Sequence, residues 1–267
     1  MMKKLIFSFI IIFIGYILYD KWTIWSIMNL SQQEIPTYEQ QERRDTLLVV
    51  NKEIPLLEDP TNIVPIPNPF ADNVRLVDDF YVQEELLVPL QQMFQAAEQQ
   101  GIETFQVNSA YRSSASQQQL YEQQGDDYAL PAGKSEHQLG LALDIGITTG
   151  KIEDTEAGDW LAEHAPTYGF ILRYPEHKTA ITDIEFEPWH FRYVSKPHSL
   201  IMQQEDWVLE EYIAYLQDNK SYVWEFDDGT YVIRYAEQTE SIKIPENSIY
   251  TISYDNIGGV IVTAFVD

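Results

Sequence analysis

The first apolar stretch of the chain is continuous rather than periodic. Residues 5–19 read LIFSFIIIFIGYILY, without a charge, between Lys3 and Lys4 on one side and Asp20 and Lys21 on the other. At about 1.5 Å of rise per residue this run falls short of a ~30 Å hydrocarbon core. Trp22, Ile24 and Trp25 extend it into the membrane interface. No small-residue cleavage site follows directly, so a retained signal anchor over residues 1–26 is expected rather than a removed leader. The lysines ahead of the run put the N-terminus inside and the remaining chain outside the cytoplasm. The expected location is therefore the cell membrane, single-pass, with the globular part extracytoplasmic.

After the run the pattern dissolves. Residues 27–60 are polar and mixed, with no sustained period, and read as a stalk. Within them LLVVNKEIPLL looks extended, and three prolines in PIPNP (65–69) exclude regular structure there. A helical period then sets in: Leu86, Leu90, Met93 and Ala97 share one face, and Gly101 supplies a stop. Phe105, Val107 and Ser109 alternate as a strand leading into SAYRSS, and SASQQQLYEQQG reads as a serine-capped helix ending near Gly125. In GLALDIGI, Leu141, Leu143 and Ile145 lie on one face of a strand, with Ala142 and Asp144 on the other. A helix at DWLAEHAPTYG, strands at FILRY and PWHFRYV, and one long helix over SLIMQQEDWVLEEYIAYLQ follow. From Tyr222 onward the chain turns β-branched and aromatic, with turn signals at DDG, PEN and NIGG, which predicts three or four antiparallel strands.

The fold class expected is α+β: a small antiparallel sheet with flanking helices, a small C-terminal all-β appendage and an N-terminal membrane helix. The boundaries read 1–26 anchor, 27–60 stalk, 61–218 main domain and 219–267 β subdomain. The subdomain carries no histidine and no polar constellation, so packing or localisation is its expected role.

Charge and composition narrow the chemistry. Seventeen Lys and Arg stand against 42 Asp and Glu, a formal net charge of −25, which repels a phosphate backbone and excludes nucleic acid as a partner. Cysteine is absent, which removes disulfides, thiolate metal sites, cysteine nucleophiles and lipid attachment through cysteine. A metal site here must use His, Asp and Glu.

Five histidines are available. His137 lies in KSEHQLGLALD, where Gly140 permits a tight bend, so a loop His and the strand Asp144 can converge on one point. His190 lies in EFEPWHFRY, and a turn would bring Glu187, three residues ahead, to the same cavity. Two His and one Asp leave a fourth zinc position open for water, the arrangement of a hydrolytic site. A carboxylate beside that water must take its proton and pass it on; Glu187 fits. Glu136 also adjoins a ligand, but in an extended segment its side chain points away from that of His137. His164, His177 and His198 are read as helix-surface or polar-loop residues outside the site.

SAYRSSASQ, SEHQLGLALDI and RYPEHKTAITDIEFEPWHFRYV together resemble the three blocks of the VanY-type D-alanyl-D-alanine carboxypeptidases, from about residue 48 to 200. The resemblance implies a Zn2+ cofactor on His137, Asp144 and His190, with Glu187 as catalytic base. It implies that Arg112 faces the substrate, stabilising the oxyanion or holding a carboxylate. It also places Ser135 near the substrate carboxylate and a glutamine on the same helix as Gln118, the QQQ run leaving the register open. Trp189 is expected to pack beside the site. Where the family pattern leads one to expect glycine, this chain has Asp183 and Ser195.

The activity implied is zinc-dependent removal of the terminal D-alanine from a peptidoglycan stem pentapeptide. The alternatives are an LD-carboxypeptidase acting on the tetrapeptide or, from another class, a non-catalytic zinc-containing wall-binding module. An intact Glu187 argues against the last. A dipeptidase acting on free D-Ala-D-Ala is disfavoured, because that substrate is cytoplasmic.

Overall fold

A computed structural model of the protein describes residues 31–36, 43–102, 105–126, 128–226, 229–238 and 240–267. In chain order these form strands β1 (Gln32–Pro36), β2 (Ile63–Pro65), β3 (Val74–Leu76) and β4 (Tyr81–Gln83), helix α1 (Leu87–Gln99), β5 (Phe105–Ser109), α2 (Ser114–Gln124) and β6 (Ala142–Ile147). Then come α3 (Glu156–His164), β7 (Phe170–Leu172), the short α4 (Thr179–Thr182), β8 (His190–Tyr193), α5 (His198–Glu205) and α6 (Leu209–Asn219). Five strands close the chain: β9 (Ser221–Phe226), β10 (Gly229–Glu237), β11 (Ser241–Pro245), β12 (Ile249–Tyr254) and β13 (Gly259–Val266). The expected anchor, residues 1–26, lies outside the described residues, among which no helix is long and apolar enough to cross a membrane.

One compact unit comprises Asp45–Tyr215 and Ser253–Gly258. It therefore begins within the stretch read as stalk. The reason is burial: Leu47, Val49 and Val50 are almost fully enclosed, which polar neighbours in the sequence concealed. Its five-stranded sheet runs β3-β5-β6-β8-β7. All neighbours pair antiparallel except β3, which lies parallel to β5, so the expected antiparallel sheet is mixed at one edge. Helix α1 buries Leu90, Met93, Phe94 and Ala97, the 3.6-period face that the sequence displays. Phe94 meets Phe70 edge-on at 6.4 Å and Phe105 at 5.2 Å, joining helix to sheet. Leu141, Leu143 and Ile145 are fully buried beneath them.

Helix α2 is capped by Ser113, whose Oγ accepts from the amide of Ser116. The single helix expected after residue 198 is two, α5 and α6, because Asp206 takes a left-handed conformation (φ 54°) and ends the first. His198, expected in a polar loop, is buried at the start of α5, its Nδ1 2.7 Å from the Tyr212 hydroxyl. Asp183 and Ser195 both have positive φ, 54° and 63°, which is why a glycine suits these two positions.

The second unit holds the segment up to Arg44, Leu216–Ile252 and Gly259–Asp267. Strands β12-β13-β10-β9 form an antiparallel sheet in that order. The fifth strand, β11, leaves it to pair antiparallel with β1, Ile35 opposite Ile242. The stalk thus contains a strand that aperiodic sequence did not reveal, because only Ile35 of its five residues is buried.

Candidate metal centre

Three adjacent strands set the frame of the site. Register places Ser109 of β5 opposite Asp144 of β6, and Asp144 opposite His190 of β8, so these side chains form a row across one sheet face. Two turns add the remaining groups. His137 sits in the 3-10 turn Glu136–Leu139, just ahead of β6, and this turn ends at Gly140 with φ 69°. The left-handed backbone there favours glycine, and a Cβ would press on the end of the Ile63 side chain and come within 3.3 Å of the backbone N of Gln83. Glu187 precedes β8 by a turn closed by the amide of His190 bonding to the Glu187 carbonyl at 3.1 Å.

His137, Asp144 and His190 each offer a ligand atom, and these atoms all lie within 4.8 Å of one another. The two rings turn different nitrogens inward. His137 Nδ1 lies 2.8 Å from the Ala110 carbonyl oxygen, which can only accept, so Nδ1 carries the proton and Nε2 faces Asp144 at 3.4 Å. His190 presents Nδ1, 3.3 Å from Asp144 Oδ1 and 3.4 Å from Glu187 Oε2. Ligands around four-coordinate zinc at ~2.05 Å stand about 3.4 Å apart, so these spacings fit the ion. Asp144 Oδ1 is buried without a hydrogen-bond partner, which an ion would satisfy. Burial opposes charge on Asp144, but the neighbouring His137 and His190 hold its carboxyl well below the usual range. Burial, and next to it the Asp144 and Glu136 charges, push the Glu187 carboxyl up, against the pull of both histidines. Its side chain is 31% exposed, the most open of the four.

Arg112 donates through Nη1 to Gln117 Oε1 at 2.7 Å and through Nη2 to Ser109 Oγ at 2.9 Å, and its amide bonds the His137 carbonyl. Gln117 is buried and also donates to the Leu130 carbonyl. Gln118, one residue on, instead pairs with Glu122 and the amide of Ala132. The structure thus brings Gln117 to Arg112 and leaves Gln118 beside the loop; three successive glutamines hide a helix phase that only burial distinguishes. Ser135 is buried immediately before the 3-10 turn that carries His137. Trp189 is 38% exposed, its carbonyl bonded to the amide of Ile145. His164 stacks on Trp160, and His177 faces Asp206 at 3.0 Å, both apart from the ligand set.

One group at the site, Tyr174, escapes the sequence, which reads another, Glu136, as facing away. Tyr174, buried, tilts its ring against His190 with 4.9 Å between centroids. Glu136 is buried behind His190 because its segment is a 3-10 turn and not extended: Oε1 accepts from Arg173 Nε at 2.8 Å and Arg192 Nη1 at 2.7 Å. Burial disfavours its charge, yet Arg173 and Arg192, with His190, hold its carboxyl well below the ordinary value. The signal available in the sequence was two apolar-flanked arginines, Arg173 and Arg192, on strands expected to be buried.

The family model for D-alanyl-D-alanine carboxypeptidase, VanY, matches residues 79–196, which include every residue of this site. A D-alanyl-D-alanine carboxypeptidase of Enterococcus faecium is 37% identical over 99% of this chain and 97% of its own length. Among solved structures, the vancomycin-resistance D,D-dipeptidase VanXYg, in complex with a D-Ala-D-Ala phosphinate analog, superposes with a TM-score of 0.75 at 30% identity, covering 89% of this chain and 99% of that one. The LD-carboxypeptidase LdcB matches at TM-score 0.54 and 33% identity, over 62% of this chain and 84% of its own. A mutant of the VanB-type D,D-pentapeptidase VanY in complex with Zn(II) matches at 0.54 and 28%, over 64% of this chain and 99% of its own.

Proposed function

The chain belongs to the VanY family of D-alanyl-D-alanine carboxypeptidases, and from that premise we propose that it is a zinc-dependent carboxypeptidase releasing the terminal D-alanine of peptidoglycan stem pentapeptides. The observation that carries this reading is the convergence of His137, Asp144 and His190 with a half-buried carboxylate, Glu187, 3.4 Å from His190 Nδ1. The Zn(II) complex of a relative and the unbonded Asp144 oxygen support the choice of ion.

His137 Nε2, His190 Nδ1 and a carboxylate oxygen of Asp144 would hold the ion. When bound, zinc lowers the pKa of a water toward ~7 and polarises the scissile carbonyl. Glu187 takes the proton of the attacking water and delivers it to the amine of the leaving D-alanine. Partial burial raises its pKa toward the working pH, where a carboxylate can both accept and return a proton. Arg112 is fixed by Gln117 and Ser109, which leaves guanidinium N–H groups for a substrate oxygen that gains negative charge. Ser135, just ahead of the turn that carries His137, and Gln118, on helix α2, are offered as substrate contacts. The anchor over residues 1–26 would keep the enzyme at the outer face of the membrane, beside the wall; recovery of the chain in a membrane fraction and its digestion by external protease would test that location.

The test of the activity is D-alanine release from UDP-muramoyl-pentapeptide and from the matching tetrapeptide. Release from pentapeptide, stopped by chelator and restored by zinc, is expected. Glu187→Gln is expected to keep its zinc and lose roughly 10²- to 10⁴-fold in kcat. The 33% identity with LdcB favours one second reading, LD-carboxypeptidase activity, for which release from tetrapeptide alone would be diagnostic. Binding to sacculi without any release would leave the wall-binding module.

A further inference from the structure

His190 Nε2 and Glu136 Oε2 face each other at 3.5 Å, and both atoms are buried without a hydrogen-bond partner. Two unsatisfied polar atoms enclosed side by side are costly unless something closes the gap between them. A metal held by Nδ1 would do so chemically: it leaves the single imidazole proton on Nε2, directed at a carboxylate oxygen that is free to accept it.

The carboxylate is itself immobilised. Its other oxygen, Oε1, receives Arg173 Nε and Arg192 Nη1, and both arginines are wholly enclosed. Arg173 is braced in turn by a bidentate pair with Glu210 at 2.9 and 2.6 Å. Arg192 donates through Nη2 to the carbonyls of Thr46 and Leu48 at 3.0 Å each, and through Nε to that of Tyr193. Two carboxylates balance two guanidinium groups, so Glu136 stays ionised without a counter-ion from solvent. Filling this volume with apolar side chains would serve stability as well or better; a braced, ionised acceptor aimed at one nitrogen serves orientation.

We propose that Glu136 is a positioning residue of the metal centre: it holds the Nε2–H of His190, so that the 3-10 turn Glu136–Leu139 supplies one ligand, His137, and fixes the ring of a second. The proposal rests on the zinc reading above. Arg173 and Arg192 act through Glu136, and Glu210 through Arg173.

The experiment uses the full chain in detergent, stripped of metal and titrated with zinc alone against a chelator of known zinc affinity. Wild type, Glu136→Gln and Glu136→Asp are compared, with unfolding of each metal-free protein recorded alongside. Glu136→Gln turns an amide donor or a weaker acceptor toward Nε2 and is expected to bind zinc roughly 10- to 100-fold more weakly. Glu136→Asp keeps an acceptor and is expected to recover part of that loss. A folded Glu136→Gln protein that binds zinc as tightly as wild type overturns the proposal and makes the array a purely structural cluster.

Should Glu136→Gln not fold, the wild type decides alone. With ¹⁵N-histidine labelling and zinc bound, His190 is expected to show a slowly exchanging Nε2–H. The opposite tautomer, or a freely exchanging proton, overturns the proposal. A wild type that takes up no zinc overturns the metal reading itself, which is a separate and recognisable outcome.

Discussion

Gly140 shows how much one residue decides here. It separates His137 from Asp144, and its φ of 69° reverses the chain so that a turn and a strand aim at one point. Gly140→Ala carries a left-handed alanine, at about 1–2 kcal/mol, plus an overlap with Ile63 and Gln83 worth about 1–3 kcal/mol. Destabilisation of roughly 3 kcal/mol in urea unfolding is expected, accompanied by weaker zinc binding because the two ligands separate. The bend was legible in the sequence, since glycine between a candidate ligand pair has few other uses. The identity of the glutamine at Arg112 was not: Gln117 and Gln118 are chemically identical neighbours, and only helix phase buries the first.

At the scale of elements, the segment Thr46–Val50 matters more than its irregular sequence suggests. It contributes Leu47, Val49 and Val50 to the interior and two carbonyls to the enclosed Arg192. At about 1.5–3 kcal/mol for each buried aliphatic side chain, its removal costs much of a typical domain's stability. A chain beginning at residue 61 is therefore expected to be insoluble or to melt far below one beginning at residue 27, in parallel thermal unfolding. The strands of the sheet and helices α1 to α3 were readable because period and burial coincide in them. The Asp206 break between α5 and α6 was not, since Asp in a left-handed conformation carries no distinctive neighbour pattern.

For the whole molecule, two histidines of opposite character predict a stability maximum. His198 is held by burial at a pKa of about 3, below its unfolded value near 6.5. Its contribution is complete above pH ~6.5 and is lost as pH falls, by up to about 1.4 kcal/mol per pH unit, because the unfolded chain then binds a proton the native state refuses. His190 in the metal-free protein is opposite in sign. Burial opposes its charge, but the adjacent carboxylates of Asp144 and Glu136 push its pKa up to about 9. That contribution is present below pH ~6.5 and is lost as pH rises toward 9. Metal-free protein is thus expected to resist urea best near pH ~6.5. His198→Gln should flatten the acid limb, and zinc, which binds neutral His190, should flatten the alkaline one. Without metal, stability that keeps rising from pH ~6.5 to 9 would contradict the His190 assignment, and stability that does not fall below pH ~6.5 would contradict that of His198.

The sequence alone marked candidate ligands, their spacing, a candidate base and the family, because metal chemistry accepts few residue types and His137, Asp144, Glu187 and His190 sit in short local motifs. It also determined the α+β class, since local period reports local burial. What meets across the chain is set by the folded arrangement. Ser109, Asp144 and His190 become neighbours through register, β1 finds β11 far along the sequence, and Glu136, held by two arginines on one oxygen, faces His190 with the other. Those relations depend on strand pairing and on which side chains lose water together. Neither quantity is a property of any short window of residues.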